Sequence, residues 1–253
     1  MLRDWRQRRR LSQLDLALEA GVSARHLSFI ETGRSKPSAE MLAGLAEQLE
    51  IPLRERNALL LAGGYAPAYA EHDLADPEMG PVREAIDRVL AGHDPYPALV
   101  VDRHWGLVAG NRALDLLTSG AAEHLLEPPV NALRLSLHPE GMAPRIVNLG
   151  EWRAHILEGL GRRAVVTGDP ALFALHEELA AYPGGDAPEP RDLDVAEIAT
   201  PLRIRAGEEE LAFLSTLTRF GTAVDVTVSE LSIESFFPAD AHTAEYVRAA
   251  VGD

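Results

Sequence analysis

The 253 residues of this chain, 46% of them hydrophobic, suffice for two domains with separate cores. The absence of cysteine excludes a disulfide framework and a thiolate metal site, and no run approaches the roughly 20 apolar residues that a membrane span needs. A net charge of −15 argues against nucleic acid as a partner for the chain taken whole, but the charge is unevenly spread. Residues 1–36 carry eight basic against four acidic side chains, a net +4, whereas residues 66–253 carry 14 against 31, a net −17. The N-terminus is basic and lacks the apolar core of a signal peptide, so a cytoplasmic protein is expected.

In chain order, Leu2–Arg9 reads as a short helix with Leu2 and Trp5 on one face and arginines on the other. Ser12–Ala20 and Ser23–Glu31 read as two further helices joined by a tight turn at Gly21, which can take a positive φ. Small Ala17 permits their close crossing, and Leu27 and Ile30 point into the core. This is the pattern of a helix-turn-helix that binds operator DNA. Ala39–Leu49, capped by Ser38, and Leu53–Leu61 complete a five-helix domain over residues 1–64, ended by Gly63 and Gly64.

On the third helix Arg25, Ser28 and Phe29 face outward. Arg25 suits guanine O6 and N7, Ser28 is an adaptable donor, and Phe29 suits a thymine methyl or a sugar. Ser12 and Gln13 open the second helix and Ser23 and Ala24 the third, where free N–H groups favour phosphate. Thr32, Arg34, Ser35 and Lys36 form a basic loop suited to backbone contacts, which position without specifying.

Residues 65–80 read as a connector rich in proline, alanine and acid, followed by a helix over 81–90. The runs 97–102 and 105–110 predict a β-hairpin, and Asn111 a cap for a helix over 112–117. Helices are expected over 151–160 and 170–181, a loop over 182–191, and strands over 202–205, 211–220 and 224–233. Two strands, several helices and three strands suit an α+β module, with helices on one face of an antiparallel sheet around a cavity. No nucleophile elbow, phosphate loop or zinc-protease motif stands in the sequence, so neither a catalytic residue nor a metal site is assigned.

Residues 1–64 resemble the XRE, or Cro/repressor-type, helix-turn-helix domain. The stretches PYPALVVDRHWGLVAGNRA (95–113), NALRLSLHPEGMAPRIVNLGEW (131–152) and DVTVSELSIESFFPADAHTAE (225–245) resemble the MmyB-like bacterial regulators. The resemblance implies a PAS-like domain over residues 81–253 that holds a small apolar ligand, a fatty acid before others, and needs no cofactor besides. Leu99, Val101, Val108, Leu116, Leu133, Leu137, Met142, Ile146, Trp152, Ile156, Phe213 and Leu217 are its candidate wall. Arg145, ahead of Arg134 and Asn148, is the candidate anchor for a carboxylate. One recognition helix reads few bases, so a homodimer on double-stranded operator DNA is expected. The alternative is a second domain that serves dimerisation or partner docking without a ligand.

Overall fold

The computed structural model describes residues 1–185, 200–221 and 223–252. These form two compact units: Met1–Asp76 with Gly221–Ser229, and Pro77–Phe220 with Glu230–Asp253.

The first unit holds α1 (Leu2–Arg8), α2 (Gln13–Glu19), α3 (Ala24–Glu31), α4 (Ala39–Gln48) and α5 (Leu53–Ala62). Three of these starts are fixed by serines. Ser12, Ser23 and Ser38 accept hydrogen bonds from the N–H groups of Asp15, His26 and Met41, satisfying donors that the first helical turn leaves open. Gly21 turns the chain between α2 and α3 at φ +65°, a region that side chains disfavour. Leu16, Ala17, Leu27, Leu45 and Leu49 are buried at the centre of the unit.

The connector is held. Asn57 accepts from the N–H groups of Ala68 and Tyr69 through Oδ1 and donates to the Tyr69 carbonyl at 2.7 Å. The expected strand over 224–233 is not formed as such, because Val226–Glu230 is a short helix. Its valines and threonine favour a strand, but local hydrogen bonds outweigh that preference. Asp225 accepts from Val228 N–H, and Ser229 donates to the Val226 carbonyl. Val226 N–H donates to the Ala70 carbonyl, and Thr227 to that of His72.

The second unit contains α6 (Gly80–His93), β1 (Ala98–Val101), β2 (Leu107–Gly110), α7 (Leu114–Thr118), α8 (Ala132–Leu137), α9 (Leu149–Thr167) and α10 (Pro170–Ala181). Then follow β3 (Leu202–Ala206), β4 (Glu209–Arg219), α11 (Val226–Glu230, shared with the first unit), β5 (Ser232–Pro238) and α12 (Ala241–Val251). The five strands form one antiparallel sheet in the order β2-β1-β5-β4-β3, as expected of an α+β, PAS-like domain.

Three local differences from the sequence reading matter for the site. Asn111 does not cap a helix. It ties the start of β1 by accepting from Ala98 N–H and donating to Asp94 Oδ1 and the Tyr96 carbonyl, and α7 begins only at Leu114. Helix α9 runs past Leu160 to Thr167 and ends at left-handed Gly168. Its Gly161 does not break it; the glycine lets His176 of α10 come within 3.4 Å of where a Cβ would stand. A β-bulge between Val100 and Val101 pairs them with Ala109 and Leu107, so Val108 is the extra residue. Of the loop expected over 182–191, residues 186–191 lie outside the described residues. Among the described residues, no helix is long and apolar enough to cross a membrane.

Candidate functional site

In the first unit, α3 presents an exposed Arg25 whose guanidinium lies 5.4 Å over the Phe29 ring. Ser28 and Phe29 are half-buried beside it. Below them lies a closed polar network. Arg6 grips Glu31 with two hydrogen bonds, of 2.7 and 2.9 Å, and Gln13 donates to Glu31 at 2.8 Å. Burial pushes the Glu31 carboxyl up, but the Arg6 and Gln13 hydrogen bonds outweigh it and hold the group below its ordinary value. The Gln13 amide is thus engaged within the unit. Ser12 and Ser23 spend their hydroxyl oxygens on helix caps, and half-buried Ala24 follows the Ser23 cap. Thr32 donates to the Ser28 carbonyl at 2.7 Å, and Ser35 N–H to that of Phe29. Arg34 and Lys36 are exposed, the latter 5.2 Å over the Tyr65 ring. The rigid base of this face is Arg6–Glu31–Gln13; its outward chemistry is cationic, through Arg25, Arg34 and Lys36.

In the second unit, a cavity of about 340 Å³ lies between the sheet and helices α7 to α9. Leu99, Leu133, Met142, Trp152, Ile156 and Leu217, all sequence candidates, line it. The other candidates stand elsewhere. Val101, Leu137, Ile146 and Phe213 are buried in the surrounding core, and Leu116 is half-buried against it. Val108 is exposed, because the bulge gives its place on the wall to Leu107.

Arg145 does not line the cavity. Its guanidinium donates to the carbonyls of Leu116, Leu117, Ser119 and Arg205, all at 2.7–3.0 Å, which pins β3 to the end of α7. Arg134 is paired with Glu178, and Asn148 bonds Pro201, Arg203 and Glu151. All three candidate anchors have protein partners.

The polar groups that do face the cavity went unread in the sequence. Arg163 continues the α9 stripe of Trp152, Ile156 and Leu160, three residues beyond the expected helix end. Among the described residues, its Nη1 is buried and finds no hydrogen-bond partner. Burial, and then nearby Arg219, lower its pKa to about 10, so it is still cationic at neutral pH. Trp105 also lines the cavity, and its Nε1 is likewise buried and unpartnered. The β1–β2 turn sets its place: Asp102 accepts from the N–H groups of His104 and Gly106, and Trp105 adopts φ +66°. His104 in turn bonds Asp169, the cap of α10, at 2.8 Å. Ser215, Arg219 and Glu234 add polar groups from the sheet. An apolar chamber with buried donors suits a molecule with an apolar body and an anionic or acceptor head.

Away from the cavity, ligating atoms of His124, His138 and Glu140 lie within 4.8 Å of one another. His138 Nδ1 accepts from Glu140 N–H at 3.1 Å, so that nitrogen is already engaged within the chain.

Two family models match the chain. One, described as the MmyB-like transcription regulator ligand binding domain, covers residues 82–250. The other, a helix-turn-helix, covers residues 2–56. No curated protein matches the chain.

Proposed function

The chain belongs to the MmyB-like transcription regulators, and from that premise we propose that it binds operator DNA as a homodimer under the control of a fatty acid held in the cavity. The proposed organisation is a DNA-binding domain over residues 1–64, a connector over 65–80 and a ligand-binding and dimerisation domain over 81–253.

The observation that carries the ligand reading is the pair of buried, unpartnered donors, Arg163 Nη1 and Trp105 Nε1, on an otherwise apolar wall. Leaving such donors empty costs free energy that a carboxylate returns, and the acyl chain gains roughly 25 cal/mol per Å² of apolar surface buried. Arg163 therefore takes the anchoring role first expected of Arg145. On the DNA, Arg25, Ser28 and Phe29 face the bases, while Ser12, Gln13, Ser23, Ala24, Thr32, Arg34, Ser35 and Lys36 lie along the backbone. Two copies are needed because one helix reads too few base pairs. Regulation requires that the acid bind one arrangement of the dimer better than another, since equal affinity for both shifts nothing.

The test is lipid extraction from the purified protein with mass spectrometry, then thermal melting of the stripped protein with added decanoic acid. A co-purifying fatty acid and a raised Tm are expected. If no fatty acid is carried and none shifts the melt, the second domain is a dimerisation or docking module.

A further inference from the structure

Glu234 stands in the middle of the sheet, on β5. Across it in register are Leu99 on β1 and Leu217 on β4, and all three line the cavity. Because side chains alternate across a strand, this register aims the carboxyl at the chamber. Glu234 sits deep beneath packed atoms yet keeps some accessible surface, and that surface is cavity wall. Ser215 donates to its Oε1 at 2.7 Å. Among the described residues no second hydrogen bond reaches the carboxyl, although Arg163 and Arg219 line the same chamber. Burial accordingly pushes the carboxyl up, toward the protonated form, and the Ser215 hydrogen bond only partly opposes this. In either protonation state a carboxyl buried in the wall calls for a polar partner, and a plain alkyl chain offers none.

We propose that the cavity selects an oxygenated acyl chain, one with a hydroxyl or oxo group along its length that hydrogen-bonds Glu234 while the carboxylate meets Arg163. This rests on the fatty-acid reading above and narrows it. The position of the oxygen follows from the sheet. Arg219, which acts on Arg163, pairs with Ser232, and Glu234 lies two residues farther along β5. Two residues of strand span about 7 Å, so the oxygen belongs in mid-chain and not beside the carboxylate.

Calorimetric titration of the delipidated full-length protein with decanoic, 6-hydroxydecanoic and 2-hydroxydecanoic acids tests this. The 6-hydroxy acid should bind about tenfold tighter than decanoic acid, and the 2-hydroxy acid should gain nothing. Glu234→Gln, whose amide still donates, should keep the preference. Glu234→Leu should lose or invert it while decanoic acid still binds, which also shows that the variant folds. Equal binding of all three acids by the unaltered protein, or a preference that survives in Glu234→Leu, overturns the proposal and leaves the fatty-acid reading intact. If none of the three acids binds the protein or either variant, both fail together.

Discussion

The two units treat buried polarity in opposite ways. In the helical unit, Arg6, Glu31 and Gln13 satisfy one another beneath the outward face of α3. In the sheet unit, among the described residues, Arg163 and Trp105 keep buried donors without hydrogen-bond partners, and the Glu234 carboxyl has one side-chain hydrogen bond, from Ser215. Among the described residues, the buried side-chain atoms lacking a hydrogen bond (Trp105 Nε1, Arg163 Nη1 and Ser232 Oγ) all belong to the second unit. A closed network fixes one geometry, as a surface that must match DNA requires. An open one leaves free energy for an incoming molecule to recover.

The closed network should break hardest. The Arg6 and Glu31 side chains are 10% and 1% exposed, so Glu31→Ala strands a buried cation and should cost about 3–5 kcal/mol in denaturant unfolding. The same contact dictates a pH response. Because folding holds the Glu31 carboxyl below its ordinary 4.5, its contribution is complete above that value and is lost as pH falls through the lower, folded one. Acid unfolding of the first unit should therefore steepen in that window, and Glu31→Gln should flatten it.

The open network should respond in the other direction. Burial and Arg219 outweigh the attraction of Asp102, Glu230 and Asp169 for the Arg163 charge, so in Arg163→Leu the ligand-free protein should melt no lower and is expected to melt higher. Decanoic acid should meanwhile bind about ten- to a hundredfold more weakly, as the loss of a charged hydrogen bond of about 1.5–3 kcal/mol implies. A variant both less stable and fully competent for ligand would show Arg163 to be structural. Arg25 sharpens the contrast from the DNA side. Among the described residues its contact is with the Phe29 ring, so Arg25→Ala should leave stability near its starting value while costing roughly 1–3 kcal/mol of specific DNA affinity. Footprinting should show relaxed selectivity at one position per half-site. Uniform weakening on every sequence would make Arg25 a phosphate contact.

The same contrast explains what the sequence disclosed. The helical unit was legible because serine caps, the Gly21 turn and apolar spacing are local signals, and all five of its N-terminal helices formed where that spacing put them, to within a residue or two at their ends. The sheet unit was legible in element order and less so in the identity of its wall. The helix expected over 151–160 ends three residues short of Arg163, which hid that residue although it keeps helical spacing from Leu160 and Ile156. The β-branched run at 224–228 placed the last strand too soon, which hid Glu234 and Phe236. Arg145 stands beside apolar residues and looked like a mouth group; only tertiary structure shows its donors spent on four carbonyls.

The bulge in β2 supplies the smallest effect and the most discriminating one. Strict alternation along 105–110 makes Val108 a wall residue, whereas the extra residue in the strand puts Val108 at 38% exposure and Leu107 on the cavity. Leu217 is just as exposed, at 44%, yet it lines the cavity from β4. Exposure therefore cannot tell the two apart, but a bulky substitution can. Leu217→Trp should fill the chamber and abolish the melting shift produced by decanoic acid. Val108→Trp should leave that shift in place and change stability by no more than about 0.5 kcal/mol, as for an ordinary surface position. If Val108→Trp also removes the shift, the bulge is misplaced and the unbroken alternation describes β2 after all.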